Sequence, residues 1–216
     1  MRGGLIKLVT GLAVATLLVA GCSDKQAGTA MPAPTTGGDS TGTSTGRSTP
    51  TTTPSGGAPA VKNPLDASKF IPQPCTALSA STLTQLKVSR PGIPDTESAI
   101  AKTSGPFCIW HTDDQPTARS YGVGFLTGNK NGLSDTYRGG KKAFPGYFEP
   151  TDVDGYPAVF NGLTEDRPTG ACNITIGASS TLAFQVSLEG DKDLGTKACD
   201  LVKQVAAAVI QTLKGA

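Results

Sequence analysis

Lys197-Ala198-Cys199-Asp200-Leu201-Val202-Lys203-Gln204-Val205-Ala206-Ala207-Ala208-Val209-Ile210-Gln211-Thr212-Leu213 decides the fold class. Ala198, Leu201, Val202, Val205, Val209 and Leu213 recur at steps of three and four, while Lys197, Asp200, Lys203, Gln204 and Gln211 take the opposite side. That spacing is an amphipathic helix, and its apolar stripe needs a second layer to bury it. The sequence just upstream supplies one. Phe107-Cys108-Ile109-Trp110-His111, Tyr121 to Thr127, Tyr156 to Phe160, Ala171 to Ile176 and Thr181 to Leu188 alternate with the period of strands. Further upstream, Ser79 caps a short predicted helix to Leu86, with Leu83 and Leu86 facing inward. Leu133 to Arg138 reads as one or two helical turns stopped by Gly139-Gly140. Helix, strands, then helix predict an α+β fold: an antiparallel β-sheet flanked by N- and C-terminal helices.

This domain is expected to run from Pro64 to Ala216, near the commonest size for one domain. What precedes it differs sharply. Residues 23–63 hold ten Thr, five Ser, seven Gly and five Pro but no Leu, Ile, Phe, Tyr or Trp, too little apolar surface to offset the entropy of ordering. They predict a disordered tether with a root-mean-square span of roughly 35 Å. Gly42-Thr43-Ser44-Thr45-Gly46 has the spacing of a hydrolase nucleophile elbow, but it lies in this tract, without the strand and helix that give the motif meaning.

Arg2 and Lys7 precede a short apolar run, Leu8 to Ala20, too short for a membrane span and right for a signal peptide over residues 1–21. The run ends in Leu18-Val19-Ala20-Gly21-Cys22, which resembles a bacterial lipobox. That likeness implies a diacylglyceryl thioether on Cys22, palmitate-type chains in the bilayer and residence on the extracytoplasmic face of the cell membrane. Two acyl chains give the double anchor that stable attachment needs. Without Arg2 and Lys7, 17 basic residues face 17 acidic ones, so nucleic acid is not an expected partner.

Cys75, Cys108, Cys172 and Cys199 remain, an even number that predicts two disulfides with three possible connectivities. Cys108 shares a face with Trp110, and Cys172 with Ile174 and Ile176, so both point inward from strands. Pairing by parity gives Cys108–Cys172 and leaves Cys75–Cys199 to join the helix starts, with the first and last helices side by side. The rival is Cys75–Cys108. No spacing suits a metal, and no cofactor is expected.

The order Pro74-Cys75-Thr76-Ala77-Leu78 before a helix, Cys108-Ile109-Trp110 on a strand, Cys172-Asn173-Ile174 on a later strand and Ala198-Cys199 opening the last helix resembles the DUF3558 lipoproteins of actinobacteria. The resemblance implies a Mog1/PsbP-like α/β/α sandwich and no particular activity.

Candidate chemistry is sparse. His111 and Asp113 share a strand face, but Asp113-Asp114-Gln115-Pro116 reads as a turn, and no nucleophile adjoins the histidine in sequence. Arg138, Lys141 and Lys142 form a small basic patch. No catalytic residue is assigned, and the chain is expected not to be an enzyme. The stretch from Asn129 to Pro157 is Gly-rich, long for a connection and aromatic, with Tyr137, Phe144, Tyr147 and Phe148 as candidate ligand contacts. The expected role is a non-catalytic binding domain for an envelope protein or molecule. The alternative is a carrier or sensor of a small apolar, lipid-like ligand.

Overall fold

Among the described residues seven strands pair into one fully antiparallel sheet in the order β1-β2-β3-β7-β6-β5-β4. They are β1 (Ile93–Asp95), β2 (Phe107–His111), β3 (Ser120–Phe125), β4 (Tyr147–Val153), β5 (Tyr156–Gly162), β6 (Cys172–Gly177) and β7 (Ala183–Glu189). The helices are α1 (Ala80–Gln85), α2 (Ala99–Thr103), α3 (Leu133–Ala143) and α4 (Lys197–Lys214). The computed structural model describes residues 57–112, 118–190 and 192–215. The expected signal peptide, Cys22, the expected tether up to residue 56, the Gly42–Gly46 motif and the expected turn at Asp113 lie outside the described residues.

Alternation along the strands makes one face of the sheet apolar. Trp110, Tyr121, Leu188 and Cys172 align across β2, β3, β7 and β6, and Cys108, Val123, Val186 and Ile174 form the next row. All eight are at most 1% exposed. On this inner face lies α4, which buries Val202, Val205, Val209, Ile210 and Leu213. Each such side chain contributes roughly 1.5–3 kcal/mol before chain entropy is counted. Leu83 and Leu86 of α1 pack into the same cluster, and Ser79 caps α1 by accepting from the Thr82 N–H. Helices lie on both faces, because α3 packs on the other one through Leu133, Val159 and Ala58.

Parity was right about the cysteines' faces and wrong about their partners. The bridges are Cys75–Cys108 and Cys172–Cys199, with Cα atoms 5.1 Å and 5.2 Å apart. The expected Cys108–Cys172 bond cannot form, because β3 and β7 stand between β2 and β6. Three strand spacings are about 14 Å, and a disulfide spans at most about 7 Å between Cα atoms. Cys75 instead sits in a 3₁₀ turn (Pro74–Ala77) against β2, and Cys199 opens α4 above β6. The Cys75–Cys199 link expected between helix starts is therefore absent as well.

Three boundaries also shift. Packed structure begins before Pro64: Ala58 is 2% exposed, and Val61 lies against the core. Gly139-Gly140 does not end α3, which passes a kink at Gly140 (φ 48°, ψ −148°) and reaches Ala143. The expected long loop from Asn129 to Pro157 holds α3, all of β4 and the tight β4–β5 turn, whose Asp154 and Gly155 both adopt positive φ. That backbone matches the twist of the two strands, as two-residue hairpin turns require.

Candidate functional site

The outer face of the sheet is only half covered. Over β4, β5 and β6 lie α3 and an aromatic cluster, in which Phe148 meets Tyr137 edge-on at 5.3 Å and stacks with Phe144 at 6.2 Å. Among the described residues no helix lies in the same way over β2 and β3. Two rows of side chains are presented there: Ile93, Ile109, Gly122 and Ser187, then Asp95, Phe107, Gly124 and Gln185. The sequence of β3 creates the shape. Tyr121, Val123 and Phe125 fill the core, whereas the alternate positions facing out are Gly122 and Gly124. Two successive outward positions without side chains leave a trough about two strand spacings, or 10 Å, from β2 to β7.

The trough encloses about 320 Å³, with Phe107 and Ile109 on one wall, Gln185 and Ser187 on the other, and Ile100 and Leu126 at its end. Ile93 and Ile100 are large and apolar yet 59% and 65% exposed at its rim. Leu126 and Gln185 also line a second hollow of about 280 Å³, which runs beneath α3. Trough and hollow therefore share a boundary. The floor of the hollow is polar and buried: Asn161 is 3% exposed and Thr175 1%, and the Thr175 hydroxyl donates to Asn161 Oδ1 over 2.8 Å.

Electrostatics in this region are weak. Among the described residues no ionisable side chain lines the trough itself, Asp95 standing at the far end of its second row, and Asp135 is the only one lining the hollow. The Asn131 N–H and side-chain amide hold the Asp135 carboxyl below the usual carboxylate range, and Arg138 adds to the effect. A larger hollow of about 510 Å³ lies by the β4–β5 turn, and its charged side chains have contacts within the protein. There Gln211 donates to Asp154, Lys214 sits over the Tyr156 ring and Asp66 accepts from the Ser68 N–H.

The aromatic residues singled out from sequence separate. Tyr137, Phe144 and Phe148 come together on the outer face, and Phe144 lines the hollow. Tyr147 is 4% exposed and lies on the opposite face, its hydroxyl accepting from the Asn173 N–H and its ring lying under Arg167. In the basic patch, Arg138 pairs with Asp135. His111 does have a hydroxyl beside it, contrary to expectation: strand pairing brings Ser120 Oγ within 2.8 Å of Nδ1. Both groups are at the surface end of their strands, and no described residue hydrogen-bonds Nε2 to orient the ring as a catalytic base requires. Among the described residues no cluster of three or more His, Cys, Asp or Glu could hold a metal, and no helix is long and apolar enough to cross a membrane.

A family model described as "Protein of unknown function (DUF3558)" matches residues 17–212. The chain belongs to the DUF3558 family. No curated protein and no solved structure matches it. In this DUF3558 chain the matched span includes Cys22, both disulfides and every residue of the trough. The trough has a signal in the sequence, distinct from the residues expected to bind: Tyr121-Gly122-Val123-Gly124-Phe125 alternates large apolar residues with glycines.

Proposed function

We propose that this DUF3558 protein is a membrane-anchored lipoprotein on the extracytoplasmic face, and that its domain binds an elongated apolar molecule without chemistry, as a carrier or sensor. The observation carrying the binding role is the glycine-floored trough, an apolar surface free of ionisable groups on the uncovered half of the sheet. Concave, largely apolar surfaces with a few fixed polar groups are where small ligands bind. Support for the anchor is the lipobox ending at Cys22. A Cys22→Ala chain should leave the membrane fraction, and a variant that still pellets after a salt wash would disprove the anchor.

The trough can be filled without damaging the fold. A Cβ at Gly122 would meet only Ser187 side-chain atoms, so Gly122→Val with Ser187→Ala places a branched residue on an open strand position. Branched residues favour strands, so stability should stay within about 1 kcal/mol of the parent. Native mass spectrometry of the parent purified from its host should show a co-purifying small molecule, and the double variant should lack it. Equal retention in both proteins would rule out the trough as the site.

A further inference from the structure

Granting that the trough holds an apolar chain, we infer that this chain carries a cationic, hydrogen-bond-donating head, so that the ligand is a long-chain amine. The head sits where His111, Ser120 and Glu189 mark one end of the trough. The trough runs along β3, and its two ends differ. Ile100 and Leu126 close the end beyond Gly124. At the other end the glycine floor stops at Ser120, the outward position of β3 before Gly122. There His111 of β2, Ser120 of β3 and Glu189 of β7 form one row across the three strands. Ser120 Oγ lies 2.8 Å from His111 Nδ1. Ser120 and Glu189 are directly paired, an arrangement that sets Cβ atoms about 5 Å apart. A chain lying over Gly122 and Gly124 with its tail toward Leu126 therefore brings its head to this row. From Ser120 to Leu126 is about 20 Å along the strand, room for a dodecyl chain and its head.

The charge of the head follows from the row. Glu189 brings a carboxylate there, and among the described residues it has no salt-bridge partner. Where His111 Nδ1 accepts the Ser120 proton, Ser120 Oγ is left with lone pairs only, so it too asks for a donor. An ammonium supplies N–H donors and the counter-charge for Glu189, whereas a carboxylate or phosphate head is repelled. The other carboxylate near the trough is occupied. Asp95 stands beyond the Phe107 wall and accepts from the Glu97 and Ser98 N–H groups. Nor does the molecule as a whole attract cations, since its formal net charge is +2. A preference for ammonium over carboxylate would thus report the row and not the general field. One chain is the right complement, because the enclosed 320 Å³ is near the lower limit of ordinary ligand sites, about 300 Å³.

The test uses the full chain carrying Cys22→Ala, so that no acyl group of its own competes. Dodecylamine and laurate are titrated below their micelle concentrations while backbone amide and histidine ring resonances are followed. Both tails should shift the Gly122 and Gly124 amides, whereas dodecylamine alone should shift the His111 ring and the Ser120 amide. Laurate should bind about tenfold more weakly, because an exposed charge changes affinity a few-fold by attraction and again by repulsion. Glu189→Gln should bring the two within about threefold, and Glu189→Lys should reverse their order. Glu189 is exposed, so neither variant disturbs the core. If amine and carboxylate bind the parent equally, or Glu189→Gln leaves the preference intact, the head-group inference is wrong. A Gly124 shift that vanishes in Gly122→Val/Ser187→Ala would then still uphold the trough. If neither amphiphile moves the Gly122 or Gly124 amide of the parent, both readings fall.

Discussion

Replacing Cys172 and Cys199 together by Ala tests the strand order as well as the bridge. The bond joins β6 to the first turn of α4 and closes a loop of 27 residues. In the chain-entropy model that closure removes about 12 cal/mol/K from the unfolded state, or about 3.5 kcal/mol at 25 °C. Folded domains have about 5–15 kcal/mol in total, so the variant should still fold. For a domain of this size the melting temperature should drop by about 10 °C. Calorimetry and urea titration measure the loss, and the urea slope should rise because an unlinked unfolded chain exposes more surface. The pairing is checked beforehand by non-reducing peptide mapping, which should give Cys75 with Cys108 and Cys172 with Cys199. A peptide joining Cys108 to Cys172 would refute the strand order, since β3 and β7 could not then lie between them. A loss below about 1 kcal/mol with the mapped pairing intact would refute the entropic account.

Gly140→Ala should cost about 2 kcal/mol in urea titration, because the kink in α3 puts that residue in a backbone region reserved for glycine, although space around it is open. Asp135 has a lowered pKa in the fold, so its contribution is complete above the ordinary aspartate value of about 3.9 and is lost as pH falls through the lower folded value. Acid titration of stability should therefore be shallower in Asp135→Asn. Limited proteolysis should leave a core beginning near Ala58, and a chain starting at Pro64 should lose about 2 kcal/mol with the buried Ala58 and the packed Val61.

Elements whose burial is periodic could be read from the sequence. The stripe of α4 and the alternation of β2, β6 and β7 each record contact with a single core, and Ser79 records a cap that depends on four consecutive residues. β4 escaped because an edge strand can be polar: Glu149, Pro150 and Asp152 interrupt its pattern, and only Tyr147 and Val153 are buried. β1 is three residues long with a central proline. The bridges were illegible for a different reason. Parity assigns a face to each cysteine, but lateral order in the sheet depends on pairing between β3 and β7, which are distant in sequence. The candidate site was missed for a related reason. A trough made by missing side chains offers no chemical group to notice, and Asn161 becomes a floor only when α3 is laid beside it.

The strand order divides into two consecutive meanders, β1-β2-β3 and β7-β6-β5-β4, and each disulfide ties one strand of a meander to the chain segment that flanks it, the turn before β1 or the helix after β7. This has a consequence for how the chain oxidises. In a chain that emerges N-terminus first, Cys75 and Cys108 are both available before Cys172 has appeared. If they join then, the three possible connectivities shrink to one, because the last two cysteines have only each other. Correct pairing can thus follow from order of arrival, without an isomerase to reshuffle bonds and before the β3–β7 seam has closed.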